Sequence, residues 1–317
     1  LGRIKGVIMK ILITGCQGFI GSNLVKHLLK QGHDVWGIDR GKSLVGGREI
    51  LCKLIPHDME DPLTIENDFD RIYHFGADVA NSKTQGTTQM STMRSNALQT
   101  INALDFAVKN KSYFIYPSSA LIYNVDFQTY DKPLTPLNEK MIFPANCDKG
   151  YGWDKLYGLL MVQNYGKETG MPYSTPVFHA IYGPGLSLDY NSKVIGAMCK
   201  KILENDKELK IWGDGSQVRS FCYIDDLMKG LDLLIEKNIN EPVNIGSSEA
   251  VTMTEVADML LKISGKNLEK VYQPTEPTGC WKRSSDNTLI KTLTGWEPDT
   301  PLLEGLTRTF IWVKNNI

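Results

Sequence analysis

Short apolar runs alternate with helical stretches through the first half of the chain. Lys10–Thr14 (KILIT), Asp34–Ile38 (DVWGI), Arg71–Phe75 (RIYHF) and Tyr113–Tyr116 (YFIY) read as buried strands. Between them, segments such as Ser22–Gln31 and Met90–Lys109 read as helices. Strand–helix alternation at this spacing predicts a parallel sheet covered by helices on both faces. Pro172–His179 and Pro242–Ile245 are predicted as later strands of the same sheet. Around them the pattern is less regular, with helices predicted at Val194–Leu203, Asp225–Lys237, Thr252–Ser264 and Leu302–Asn316. Met9 directly before the first strand reads as the natural start, which makes residues 1–8 a loose extension.

Composition narrows the classes. The 317 residues fit one large or two intimately joined domains, and 42% hydrophobic with 22% charged residues is ordinary for a globular protein. A net charge of -1 with no local basic run argues against nucleic acid, whose phosphates demand a surplus of Lys and Arg on one surface. No apolar run approaches the ~18 residues of a membrane span, and the first residues lack the apolar core of a secretory signal. The six cysteines at 16, 52, 147, 199, 222 and 280 form no CxxC pair. That is neither a zinc pattern nor a disulfide framework, so the expectation is a reduced, cytoplasmic protein without a metal.

The first strand runs into Gly15-Cys16-Gln17-Gly18-Phe19-Ile20-Gly21 and then a helix. Such a GxxGxxG loop permits a tight turn and lets backbone approach a pyrophosphate at the helix N-terminus, where N–H groups and the dipole favour anions. Glycine loops also occur as plain turns, so the context carries weight. Asp39 closes the second strand about 20 residues on, where a carboxylate accepts hydrogen bonds from ribose hydroxyls and repels a 2′-phosphate. That favours NAD over NADP, although Arg40 follows immediately and offsets the preference in part. Asp58 is a candidate for the adenine amino group, with a simple turn former as the plainer reading.

Tyr151-Gly-Trp-Asp-Lys155 sets two side chains at i and i+4 on one helical face. A lysine ammonium near a phenol is expected to lower its pKa and fit it to act as a base. Upstream, Ser118-Ser119-Ala120-Leu121-Ile122-Tyr123 follows the strand YFIY, so Ser119 falls at the C-terminal end of a parallel strand, where such sheets bind ligands. Glycine loop, acidic strand end, strand-end serine and YxxxK, in this order, are unlike a chance assembly.

From about Lys10 to the C-terminus these motifs resemble the extended short-chain dehydrogenases of the NAD-dependent epimerase/dehydratase group. The resemblance implies a Rossmann-type doubly wound α/β fold, with a parallel sheet and a smaller mixed α/β C-terminal substrate domain. The division expected is 9–180 for the NAD-binding domain, joined by a strand near 242–246, and 181–317 for an interleaved nucleotide-sugar domain. It implies Ser119, Tyr151 and Lys155 as the catalytic set, with Gly15, Gly18, Phe19, Ile20, Gly21, Asp39, Arg40, Asp58 and Lys155 holding NAD. In the group, the tyrosine takes a sugar hydroxyl's proton while the carbon passes hydride to the nicotinamide. A homodimer is also implied, through helices such as Met90–Lys109 and Tyr151–Glu168.

Further on, the segment from Ile211 to Asp226, WGDGSQVRSF within it, resembles the part that grips a nucleotide diphosphate. Arg219 suits a phosphate by its planar, always-charged fork, the alternative being a bridge to Asp225 or Asp226. Arg283 in RSSDNTLIKTLTGWEP is a second candidate. With EPVNIGS and FHAIYGP, these stretches are similar to the branch of the group that epimerises GDP-mannose at C3 and C5, which implies a GDP-sugar substrate.

The chain also departs from that branch. Leu121 stands where the resemblance calls for a cysteine that exchanges protons beside the transient ketone, and leucine has no exchangeable proton. Ala120-Leu121 likewise replaces the acidic pair of the dehydratases. Lys193 is the candidate for the later proton-exchanging lysine, Ala180 replaces a substrate-contacting asparagine, and His179 is either a polar substitute for it or a buried core histidine. Cys147, four residues before Tyr151, reads as an inert loop thiol. The reading is an NAD-dependent C4 epimerase or dehydrogenase of a nucleotide sugar, with a UDP-sugar 4-epimerase as the alternative. A dinucleotide-sensing regulator or a reductase of small carbonyls would leave the catalytic set or the arginines without use.

Overall fold

The computed structural model describes residues 7–40, 51–79, 89–189 and 193–317. Of the expected extension 1–8, residues 1–6 lie outside the described residues, and Val7 and Ile8 are exposed and outside any strand or helix.

The first five strands are β1 (Lys10–Thr14), β2 (Asp34–Asp39), β3 (Lys53–Pro56), β4 (Arg71–His74) and β5 (Tyr113–Ile115). Together with Tyr173–Phe178 and Pro242–Ile245 they form one parallel sheet, in the order 242–245, 173–178, β5, β4, β1, β2, β3. The two residues Ser118–Ser119 add to it by pairing with Val177 and Phe178. β1 is buried on both faces, as a central parallel strand must be. Ile11 and Ile13 enter one core while Leu12 enters the other, following the two-residue period.

Eight helices occur among the described residues: α1 (Phe19–Lys30), α2 (Gln89–Asn110), α3 (Lys149–Thr169), α4 (Val194–Glu204), α5 (Ile224–Glu236), α6 (Met253–Ser264), α7 (Thr288–Thr294) and α8 (Leu302–Lys314). In α1, Gly21, Leu24, Val25 and Leu28 are buried, a single apolar stripe at helical spacing. The α6 start is fixed by a capping box between Thr252 and Glu255.

Strand order reverses between β1 and β4. The chain builds outward from β1 through β2 to β3, then returns to β4 on the other side. Crevices at such a reversal, outside the strands' C-terminal ends, are where open α/β sheets take ligands. The 181–317 segment contributes Val218–Ser220, Ala250–Thr252 and Lys282–Ser285 to a four-stranded sheet whose fourth member, Pro136–Leu137, comes from the first half. The halves are thus interleaved through both sheets.

Candidate active site

The glycine loop lies at the strand-order reversal. Gly15 has φ +67, and a Cβ on it would stand 2.7 Å from the Gly76 nitrogen on the β4 side. A Cβ on Gly21 would meet the Gly15 carbonyl oxygen at 2.1 Å, so the loop folds back on its own backbone. Gly18 caps α1 without a side chain, which leaves the first N–H groups of the helix, at Phe19, Ile20 and Gly21, with no side-chain cap. Three orphan donors and a cradle that any Cβ would fill fit the pyrophosphate of NAD.

Asp39 is placed at the loop. One of its carboxylate oxygens accepts the Gln17 N–H at 3.0 Å and the other the Arg40 N–H at 2.9 Å. The Arg40 guanidinium turns to the Asp78 carboxylate at 2.5 Å. Arg40 is therefore neutralised by a carboxylate of its own, which strengthens the preference for NAD over a 2′-phosphorylated dinucleotide. Asp58 behaves as a turn former, one oxygen accepting the Glu60 N–H at 3.1 Å.

Beyond the loop, α3 presses against the strand ends. A Cβ on Gly152 would fall 2.4 Å from the Leu121 carbonyl oxygen, so that glycine lets Tyr151 and Lys155 approach the Ser118–Leu121 turn. Ser118 is buried and donates to the Lys155 carbonyl at 3.2 Å, while Ser119, partly open, accepts the Leu121 N–H at 3.3 Å. The Lys155 ammonium donates to the Pro117 carbonyl at 3.3 Å and lies over the rings of Tyr116 (4.7 Å) and Tyr151 (5.9 Å).

This geometry corrects one expectation. Burial, followed by the nearby Asp154 carboxylate, pushes the Tyr151 phenol above its ordinary pKa. The ammonium faces the ring of Tyr151 and spends its hydrogen bond on Pro117, so it does not offset the burial. Burial also pulls Lys155 itself down to about 8, with Asp154 opposing.

Asp154 is a residue that the YxxxK spacing hid, although it sits inside the motif. It is 4% exposed, is held by the Asn96 amide at 2.8 Å, and is raised by burial. Asn96 also accepts the Asp78 N–H at 2.6 Å, which ties α3 to the loop after β4. His74, beneath the site, is pulled down to about 3 by burial and stays neutral between Thr14 and Thr100.

At the far end, Arg219 and Arg283 are register partners on parallel strands. Arg219 makes no bridge to Asp225 or Asp226. Its guanidinium donates instead to the carbonyls of Val218 (2.8 Å), Trp281 (3.2 Å), Thr278 (3.3 Å) and Cys280. Arg283 donates through Nε to Gln128, and one terminal nitrogen is buried without a hydrogen-bond partner, 3.7 Å from Asp148. The two cations are thus neighbours, Arg219 with its terminal nitrogens engaged by carbonyls and Arg283 with a buried orphan donor.

His179 is moved out of the expected substrate set. It is 1% exposed, bonds Asn244 Oδ1 at 2.8 Å and is pulled down to about 4 by burial, a core histidine at the end of its strand. Lys193 is at the N-terminus of α4 with its ammonium over the Phe19 ring at 5.6 Å, which brings it to the glycine loop. Cys147 is buried, donates to the Ile122 carbonyl and is pushed up to about 11, as an inert thiol should be.

Comparison with known proteins agrees with this arrangement. GDP-mannose 3,5-epimerase of Arabidopsis thaliana is 33% identical over 315 residues, covering 98% of this chain and 83% of that protein. UDP-glucose 4-epimerase of Thermotoga maritima, solved with UDP-glucose, superposes with a TM-score of 0.85 at 25% identity, covering 97% and 99% of the two chains. UDP-glucuronic acid 4-epimerase of Bacillus cereus, solved with UDP-glucuronic acid and NAD, gives 0.83 at 28% identity over the same shares. Residues 11–246 match the NAD dependent epimerase/dehydratase family, and the chain belongs to it: an NAD-dependent enzyme of nucleotide sugars on an extended short-chain dehydrogenase fold.

Proposed function

We propose that this enzyme oxidises a nucleoside-diphosphate sugar at C4, with a GDP-sugar favoured, and then completes a C4 epimerisation or releases the ketone without exchanging protons at C3 or C5. The observation that carries the reading is Leu121. Its N–H donates to the Ser119 hydroxyl, and its own side chain is aliphatic, with no proton to exchange. The paired Arg219 and Arg283, in register, support a diphosphate at the other end of the cleft.

In this reading the glycine loop, Asp39 and Lys155 hold NAD, which supplies the hydride acceptor when bound. Ser119 hydrogen-bonds the reacting sugar oxygen. Tyr151 takes the O4 proton, with the Lys155 ammonium 5.9 Å from the centre of its ring. Lys193, exposed with its ammonium 5.6 Å from the centre of the Phe19 ring, is placed by this reading near the dinucleotide loop.

Incubation with GDP-mannose in deuterated water tests this by NMR. The expected products carry no solvent deuterium at C3 or C5; deuterium at either carbon overturns the role given to Leu121. A UDP-sugar 4-epimerase is the second reading, favoured by the fold likeness to the Thermotoga and Bacillus enzymes, and tighter competition by UDP than by GDP would select it. We also propose a homodimer through α2 and α3. Trp153 and Tyr157, at i and i+4 on one α3 face, are 43% and 54% exposed. The free cysteines fit a reduced, cytoplasmic setting.

A further inference from the structure

The glycine loop carries a thiol that dinucleotide binding does not use. Cys16 follows Gly15 and is 4% exposed. Cys52 directly precedes β3 and is half-buried. β3 runs parallel to β2, with Leu54 opposite Gly37, so Cys52 is brought to the edge of the loop. A Cβ built on Gly37 would stand 2.5 Å from Cys16 Sγ and 2.7 Å from Cys52 Sγ. Both sulfurs occupy the space a side chain at that position would take. The gap between them is therefore no larger than those two distances placed end to end. Gly37 is what lets two thiols from different segments meet.

The two thiols are unequal. The neighbouring Cys52 sulfur, then burial, push Cys16 up, with the charge of Asp39 adding to it. Cys52 is lowered by the neighbouring Cys16 thiol, with burial opposing. The more open thiol is thus the more acidic one, and the buried thiol stands ready behind it. Cys147, Cys199 and Cys222 have no such arrangement: all three are buried and raised by desolvation.

We propose that Cys16 and Cys52 are an oxidation-sensitive dithiol whose disulfide weakens dinucleotide binding. With a peroxide as oxidant, the Cys52 thiolate attacks one peroxide oxygen and the O–O bond breaks, giving a sulfenic acid and a water once the departing hydroxide is protonated. Cys16 then loses its proton and attacks the Cys52 sulfur. The S–S bond forms, the S–O bond breaks, and the hydroxyl leaves as a second water. Two thiols lose two electrons and two protons, and one peroxide becomes two waters. A dithiol reductant reverses the bond by exchange.

The effect on binding follows from the packing. A disulfide needs sulfurs about 2.05 Å apart, so closing the bond pulls on Cys16 as well as on Cys52. The Cys16 Cα lies 3.1 Å from the Cβ position of Gly21, and the N–H groups of Gly15 and Cys16 both bond the Ile38 carbonyl. A loop packed this closely on itself passes such a shift to the α1 N–H groups that face the pyrophosphate.

The test is mass spectrometry of the full chain after hydrogen peroxide and alkylation, with NAD binding followed by calorimetry before and after dithiothreitol. The expected result is a Cys16–Cys52 linked peptide, NAD affinity lower by about ten-fold, and recovery of both on reduction. Cys52→Ser should bind NAD as the untreated protein does, form no linked peptide and keep its affinity under peroxide; Cys52→Ala repeats the control without a hydroxyl in the pocket. The proposal is overturned by three results. These are oxidation of either cysteine without the link, a link that leaves NAD affinity unchanged, and an equal loss of affinity in both Cys52 variants.

Discussion

The two ends of the cleft are built from different materials. The dinucleotide end is backbone: Gly15 to Gly21 in one continuous turn, orphan N–H groups on α1, and a fold-back with no room for a Cβ. The end proposed for the sugar is side chains drawn from distant segments, with Ser119 after β5, Tyr151 and Lys155 on α3, and Arg219 and Arg283 on neighbouring strands. A backbone site admits almost no substitution. A side-chain site can exchange one residue while the rest of its geometry stays in place. The difference teaches that one end is fixed by backbone packing, whereas the other is open to change one side chain at a time.

The harshest way to break that contrast is Gly21→Ala. The new methyl would meet the Gly15 carbonyl oxygen at 2.1 Å, and backbone on both sides prevents relief. The expected outcome is NAD affinity lowered by more than about a hundred-fold, over 2.7 kcal/mol, with a lower thermal midpoint. Calorimetry and thermal unfolding measure it, and affinity within a factor of two of the unmodified chain would show that the loop is not the rigid cradle described.

Tyr151→Phe works on the opposite end. Removing one phenol oxygen takes away the proton acceptor and leaves the packing of α3, so turnover should fall by about 10²–10⁴-fold while NAD still binds. Loss of NAD binding along with turnover would mean that the two ends are not separable.

Lys155 sharpens the contrast through pH. Burial lowers its pKa from 10.5 to about 8. For a base with a depressed folded pKa, the penalty of burying the ammonium is complete below about pH 8 and is relieved as pH rises towards the unfolded value. Urea unfolding should therefore show the unmodified chain gaining about 2 kcal/mol relative to Lys155→Met between pH 8 and pH 10. A difference that stays constant over that window would mean that the ammonium is not held in a desolvated position.

Legibility in the sequence follows the same division. β1, Pro242–Ile245 and the glycine loop were readable because local pattern dictates them, and Gly15 and Gly21 are where the turn requires glycine. β3 was missed, since KLIP is short and half exposed, with no buried period to display. Asp78, Asn96 and Asp154 meet only through the packing of α2 on α3, so no spacing along the chain announces them. His179 reads from the sequence as a polar contact or, more readily, a buried core histidine, and its partner there is the Asn244 side chain 65 residues away. Arg219 was legible as a motif arginine suited to a phosphate, but its four carbonyl partners were not.

The smallest effect concerns how each end handles strained backbone. The dinucleotide end places glycine, Gly15, at φ +67; the sugar end places Ala180 at φ +38, where the chain leaves Tyr173–Phe178 and turns to pair with Cys222–Tyr223. A non-glycine residue in the left-handed region costs roughly 1–2 kcal/mol, because its Cβ crowds the following carbonyl. Glycine removes that crowding, at the expense of extra freedom in the unfolded chain worth roughly 0.4–1 kcal/mol. Ala180→Gly should thus raise stability by up to about 1 kcal/mol, read as a higher urea midpoint with an unchanged slope. The turn is anchored by the Cys222 N–H donating to the Ala180 carbonyl at 3.3 Å, which keeps its geometry in the variant. A lower midpoint would place the strain elsewhere and remove this difference between the two ends, leaving side chain against backbone as the whole of the contrast.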